Sequence, residues 1–302
     1  MPELPTADRP DRPLLAVSLA VVTVFLFASG DILLKYLSLR YPVPIVSSVR
    51  YALSLGLLLV MFGPRLRGAL WRTQRPVLLV LRGLTLSGIA LVMGLALRVM
   101  PVGETVAIMF LAPVLVMAMA VPILGEKVSG VGWVLAAIGF AGVLLIVRPG
   151  AALDPTGVVM ALMLAVLMTV FHLLTRFLTR SESALVMLFY VTLVGTVSFG
   201  LAALPYLGRP GAMPTLTHLG LMALMGLVYT VGHFIFARAY SMAPASVVAP
   251  VNYMHVVWAA LLGWLVFGHI PDGWTILGMA MILGTGVALA AVAHRGRAGP
   301  PK

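Results

Sequence analysis

Residues 239–274 read AYSMAPASVVAPVNYMHVVWAALLGWLVFGHIPDGW, and residues 96–133 read ALRVMPVGETVAIMFLAPVLVMAMAVPILGEKVSGVGW. The two stretches are copies of one pattern. Pro101 and Pro244 stand 143 positions apart, as do Gly125 and Gly268, while Trp133 and Trp274 stand 141 apart after a shorter loop. Each copy runs from a small-residue corner through an apolar run with polar interruptions to a Gly-led loop and a second apolar run. The match extends backwards, pairing Gly83 with Gly226, Asp31-Ile-Leu-Leu-Lys35 with His172-Leu-Leu-Thr-Arg176, and Tyr51 with Tyr190. The chain reads as one half-molecule written twice.

Composition sets the solvent. Hydrophobic residues make up 61% of the 302 and charged residues 10%, with a mean hydropathy of +1.09. A soluble domain carries about 25% charged residues, so the pattern is that of an integral membrane protein. With no cysteine there is no disulfide framework, thiolate metal site or cysteine nucleophile. The net charge of +11 comes from basic residues spread between apolar runs. That spread fits orientation in a lipid bilayer and contact with anionic headgroups, not nucleic acid.

Apolar runs of roughly 20 residues, the length that crosses a hydrocarbon core, predict ten spans. They are 14–36, 44–63, 76–97, 101–124, 128–147, 157–178, 184–206, 215–240, 244–267 and 273–293. The first is too long for a signal-peptide core and is expected to stay in the protein. Turn chemistry at Tyr41-Pro42-Val43-Pro44, Gly63-Pro64, Arg148-Pro149-Gly150, Asp154-Pro155 and Gly208-Arg209-Pro210-Gly211 separates the runs. With the N-terminus inside, thirteen of the twenty Lys and Arg residues fall on the inner side and five on the outer, with Arg50 and Arg82 inside helices. Both termini are then cytoplasmic, in a bacterial-type inner (plasma) membrane. Five spans per copy is an odd number, so the second copy enters the membrane upside down. The expected fold is all-α, ten transmembrane helices in two inverted five-helix repeats. Residues 14–150 form the first repeat and 151–294 the second, with cytoplasmic tails at 1–13 and 295–302. Folds of this kind place a substrate site near the midplane, between the halves.

The motifs resemble those of the drug/metabolite transporter superfamily, in its EamA-type group, over nearly the whole chain. They are Asp31-Ile-Leu-Leu-Lys35, Arg50-Tyr51, Ala96-Leu-Arg98-Val-Met-Pro101, Phe110-Leu-Ala-Pro113 and Gly125-Glu126-Lys127. The second copy adds Ala239-Tyr-Ser-Met-Ala-Pro244-Ala-Ser246 and Pro250-Val-Asn-Tyr253. The resemblance implies a ten-helix carrier for small organic solutes. Family members export amino acids, other metabolites or metallophores, and some import riboflavin or S-adenosylmethionine. One departure stands out: the second Gly-Glu corner of the family is Gly268-His269 here.

Ionisable groups at membrane depth cost a few kcal/mol, about 2.5–3.5 on insertion scales, and invite a functional reading. Asp31, Lys35, Arg50, Arg98 and Glu104 fall at similar depth near the outer face, as an outer gate, a substrate-charge site or an interfacial ion-pair cluster. His172 and Arg176, the repeat counterparts of Asp31 and Lys35, fall near the inner face, as inner-gate or anchoring residues; Arg82 reads as a snorkelling anchor. Asn252, Tyr253, His255 and Trp258 follow Pro250, which can kink the ninth helix beside a cavity. With Tyr229 and His233 on one face of the eighth helix, they are the candidate cavity lining. The methionines of the middle helices suit adaptable packing. Small-residue steps at Gly132/Ala136 and Ala280/Gly284/Ala288 suit close helix contact, within one chain or in a homodimer.

These residues predict a secondary carrier with a small amphipathic metabolite as substrate; they leave the direction open, and the resemblance implies export more than import. There is no phosphate-binding glycine loop for ATP. Asp31 and Glu104 are the only carboxylates well inside the spans, and therefore the proton sites of a proton-coupled carrier; an uncoupled facilitator is the near alternative. A membrane enzyme acting on lipid is the alternative of a different class, but the six histidines show no His-Glu-x-x-His spacing. No metal or cofactor is expected.

Overall fold

The computed structural model describes residues 13–124, 130–148, 153–179, 181–209, 211, 213–240, 242 and 248–297. Eleven α-helices are described: α1 Pro13–Ser38, α2 Val43–Leu66, α3 Pro76–Val99, α4 Val102–Met109, α5 Ala112–Leu124, α6 Gly130–Val147, α7 Pro155–Leu178, α8 Ala184–Ala203, α9 Leu216–Tyr240, α10 Met254–Phe267 and α11 Gly273–Arg297. Seven helices among the described residues are long and apolar enough to cross a membrane. Three further apolar helices, Val102–Val116, Val251–Phe267 and Gly273–Ala288, are shorter. The tail at 1–12, the Gly125-Glu126-Lys127 corner and the Pro244–Ser246 corner lie outside the described residues. The C-terminal helix continues past the expected end at 293, to Arg297.

The expected fourth and ninth spans are not continuous helices. The fourth stops at Met109, turns through Phe110 and Leu111, and restarts as α5. Pro113 explains the break, since it lacks the N–H that would bond the Met109 carbonyl and its ring clashes there. In the ninth span a 3₁₀ turn over Ala249–Tyr253, with Pro250 in its first residues, precedes α10. Apolar helix interiors elsewhere absorb their hydroxyls locally. Thr85, Ser87, Thr105 and Thr169 each donate to the carbonyl four residues back, at 2.7–3.0 Å.

Packing follows a regular pattern. α1 packs on α9 and α3 on α7; α2 packs on α9 and α3 on α8; α1 packs on α10 and α5 on α7. The pairs α2–α8, α4–α7, α4–α10 and α6–α11 complete the set of main contacts. Gly83 and Gly226, matched in the two copies, do the same work. A Cβ on Gly83 would come 2.7 Å from Val194 Cβ on α8, and one on Gly226 would come 3.0 Å from the Arg50 carbonyl oxygen on α2. α6 and α11 cross through Gly142 and Gly278, where a Cβ on Gly142 would come 2.8 Å from the Gly278 carbonyl oxygen. Of the small residues expected at helix contacts, Gly132 and Ala136 are buried, whereas Ala280 and Gly284 are exposed.

Candidate functional site

A cavity of about 390 Å³ lies at the centre of the bundle. It is walled by α1, α2, α3, α7, α9 and α10, and by both helix breaks: Phe110, Ala112 and Pro113 at one, Asn252 and Tyr253 at the other. Phe110 and Tyr253 are matched positions of the two copies, and their rings meet at 5.1 Å. Its volume is in the range of metabolite pockets, roughly 300–1,000 Å³.

The polar centre of the cavity is Asp31, 5% exposed. The Tyr229 hydroxyl donates to its Oδ1 at 2.6 Å, and His255 Nε2 lies 2.9 Å from its Oδ2. Tyr229 can lie there because Gly30 has no side chain; a Cβ would come 2.7 Å from the Tyr229 ring. Tyr51 is seated against Gly195 and Tyr253 against Gly286 in the same way. The Arg50 guanidinium lies over the Tyr229 ring, 3.8 Å from its centroid, and 4.9 Å from that of Tyr51. Phe27 joins the wall, with its ring 4.9 Å from that of His233. His172 and His233 line the cavity and are exposed, His172 also bonding the Met168 carbonyl at 2.8 Å.

Towards one end of the bundle the cavity is closed by side chains. Lys35 Nζ donates to the Met100 carbonyl at 2.6 Å, and His269 Nε2 lies 2.7 Å from Glu104 Oε1. Glu104 is 2% exposed, and its Oε2 has no hydrogen-bond partner among the described residues. Gly268, in the left-handed region at φ 71°, ends α10 and turns the chain so that His269 reaches Glu104. At the same end the Tyr41 hydroxyl bonds His218 Nδ1 at 2.8 Å, and Arg148 pairs with Asp272 at 2.5 Å. The Thr275 N–H, and next the Arg148 guanidinium, hold the exposed Asp272 carboxyl down at about 2. At the opposite end Glu182 accepts from the Thr73 hydroxyl and the Gln74 and Arg75 N–H groups.

The expected outer group therefore divides. Asp31 and Arg50 belong to the central cavity, whereas Lys35 and Glu104 belong to the closed end, with His269. Arg98 is exposed and lines neither. Tyr229, His233, Asn252, Tyr253 and His255 line the cavity, with His172. Trp258 does not; its ring meets Phe25 edge-on at 5.1 Å. Arg176 is exposed near the end of α7. Arg82 is no free anchor. It donates to the Thr175 hydroxyl at 2.8 Å and the Met187 carbonyl at 3.1 Å, with Phe171 beneath it. Sequence reasoning passed over His269 as a partner, although its place as the departure from a Gly-Glu corner was the available signal.

The EamA-like transporter family matches residues 14–148 and 155–291. The chain belongs to that family. Similar proteins include a riboflavin transporter of Rhizobium johnstonii, 29% identical over 92% of this chain and 91% of the relative. An S-adenosylmethionine uptake transporter of Rickettsia bellii is 26% identical, covering 85% and 86%. A pseudopaline exporter of Pseudomonas aeruginosa is 27% identical, covering 91% and 95%. A crystal structure with 19% identity and a TM-score of 0.64 over 93% of this chain and 98% of its own shares the fold. This EamA-like protein is thus a multi-pass membrane protein of a transporter family, and its relatives are named as transporters.

Proposed function

We propose that the chain is a secondary carrier of ten spans in two inverted five-helix halves. It moves a small amphipathic metabolite, such as an amino acid, an amino-acid derivative or a metallophore-like compound, by alternating access through the central cavity. The observation that carries this reading is the meeting of Phe110 and Tyr253, matched positions of the two copies, where two broken helices face one cavity. The helix contacts support it: exchanging the halves turns α1–α9 into α3–α7 and α2–α9 into α3–α8, and leaves α2–α8 and α6–α11 as they are.

In this reading Asp31, Arg50, Tyr229, His233, Asn252, Tyr253 and His255 face substrate. Lys35 and Glu104, with His269, close the outer end, and Arg98 flanks it. His172 and Arg176 belong to the inner path. Asp31 and Glu104 are the acids available to carry a coupling proton. The protein sits in the inner membrane with both termini cytoplasmic, and export is the favoured direction. Import is the second reading, supported by the relatives named for uptake. Transport of an amino-acid and metabolite panel in everted and right-side-out vesicles tests both. Accumulation only in everted vesicles is expected for export, accumulation only in right-side-out vesicles reverses the direction, and no movement of any compound beyond empty vesicles counts against the carrier.

A further inference from the structure

Arg50 is a buried cation, 8% exposed, in the wall of the cavity. Its guanidinium face is covered by Tyr229 and flanked by Tyr51. Among the described residues none of its N–H groups meets an acceptor and no acid pairs with it. Asp31, the acid in the same wall, has one oxygen taken by Tyr229 and the other facing His255. An aromatic face attracts a guanidinium but satisfies none of its five N–H donors. Arginine stays charged at every physiological pH, so the cost of burying it cannot be relieved by losing its proton.

Charge around the cavity points the same way. Arg82 stands within electrostatic reach of His172 and His233, as Arg50 does of His233, and the groups it bonds are a hydroxyl and a carbonyl, both neutral. Neither arginine is paired with an acid among the described residues, so both leave positive charge for an anion to meet. Apart from Asn252, His172 and His233, the rest of the wall is apolar, with the flat rings of Phe27, Phe110 and Tyr253 set among aliphatic side chains such as Leu86, Ile89 and Met93.

The geometry points to Arg50 as the residue that recognises a carboxylate on the substrate, and to small organic monoacids with a flat apolar body as the substrate class. The planar fork of a guanidinium matches the two oxygens of a carboxylate. The inference rests on the reading of the cavity as the transport site.

The test uses the full chain, purified in detergent, and titrates phenylacetate, L-phenylalanine, phenylacetamide, phenethylamine and phenyl phosphate by calorimetry. The wild type is expected to bind phenylacetate at least ten-fold more tightly than the amide or the amine. Arg50→Gln should bring the acid-to-amide ratio close to one, and Arg50→Lys, which keeps the charge and loses the fork, should fall between. An unchanged ratio in Arg50→Gln overturns the inference, as does absence of acid binding, preference for amide or amine, or tighter binding of phenyl phosphate. Should Arg50→Gln fail to fold, Arg50→Lys decides the matter: an acid-to-amide ratio equal to that of the wild type overturns the inference. Uptake of the same compounds into proteoliposomes separates the two readings. Acids that bind but do not cross leave the Arg50 assignment standing and sink the carrier; movement of amine or amide without acid does the reverse.

Discussion

Glu104 shows how much a single side chain can hold at the closed end. It is buried, and His269 supplies its one hydrogen bond among the described residues. Losing a charge-assisted bond of this kind costs about 1.5–3 kcal/mol, and Glu104→Gln is expected to lower thermal stability by that order in detergent. His269→Ala should lose a similar amount, and the double variant little more than the worse single one, because each weakens the same contact. Additive losses in thermal unfolding would mean that the pair is not coupled. Gly30→Ala forces the Tyr229 ring off its seat, and we expect it to lose about 1–3 kcal/mol, as overpacking does, together with most transport. Wild-type transport by that variant would show that the Tyr229–Asp31 contact is dispensable. Asp31 was legible in the sequence as an acid at membrane depth, but its partners were not. The i,i+4 spacing offers Lys35, while the bonds run to residues 198 and 224 positions away, which only the tertiary packing brings near.

At the scale of elements, apolar length and turn residues were enough to mark the long helices, because crossing a bilayer constrains length strongly. The break at Pro113 was harder to see, since the residues on both sides are equally apolar and hydropathy passes straight through, whereas Pro250, followed by Asn252, Tyr253 and His255, already reads as a kink. Pro113→Ala restores the missing N–H and removes the ring. We expect a continuous helix through 109–113, stability at least equal to wild type, and transport reduced ten-fold or more as the cavity wall straightens. Unimpaired transport in proteoliposomes would show that the break serves only packing. A second element-scale prediction concerns the start of α11. Asp272, ordinarily near 3.8, is held at about 2, so its stabilising contacts are fully present above the ordinary value and fade as pH falls towards the lower one. The acid-induced loss of thermal stability between those two values should therefore be smaller in Asp272→Asn than in the wild type, and equal slopes would remove Asp272 from the account.

For the whole molecule, the doubling of the sequence is met by two matches to the family model, at 14–148 and 155–291, while the cavity lined by residues of both stretches emerges only from the helix packing. A reporter active only in the periplasm, fused after Lys302, is expected to be silent; a strong signal there would overturn the cytoplasmic C-terminus. The exchangeable pattern of helix pairs also has a thermodynamic meaning. Under the proposed rocking of the halves, most of the packing that opens at one end is replaced by its counterpart closing at the other, so the two facing states lie close in free energy, within a few kcal/mol. What sets the resting population is then whatever the halves do not share. The Glu104–His269 bond is such a term, because Glu104 matches Val247 and His269 matches Glu126, which cannot form the same pair. At about 1.5–3 kcal/mol it would weight the two populations by roughly ten- to a hundred-fold at 1.4 kcal/mol per decade, making one histidine a ballast on one side of the carrier.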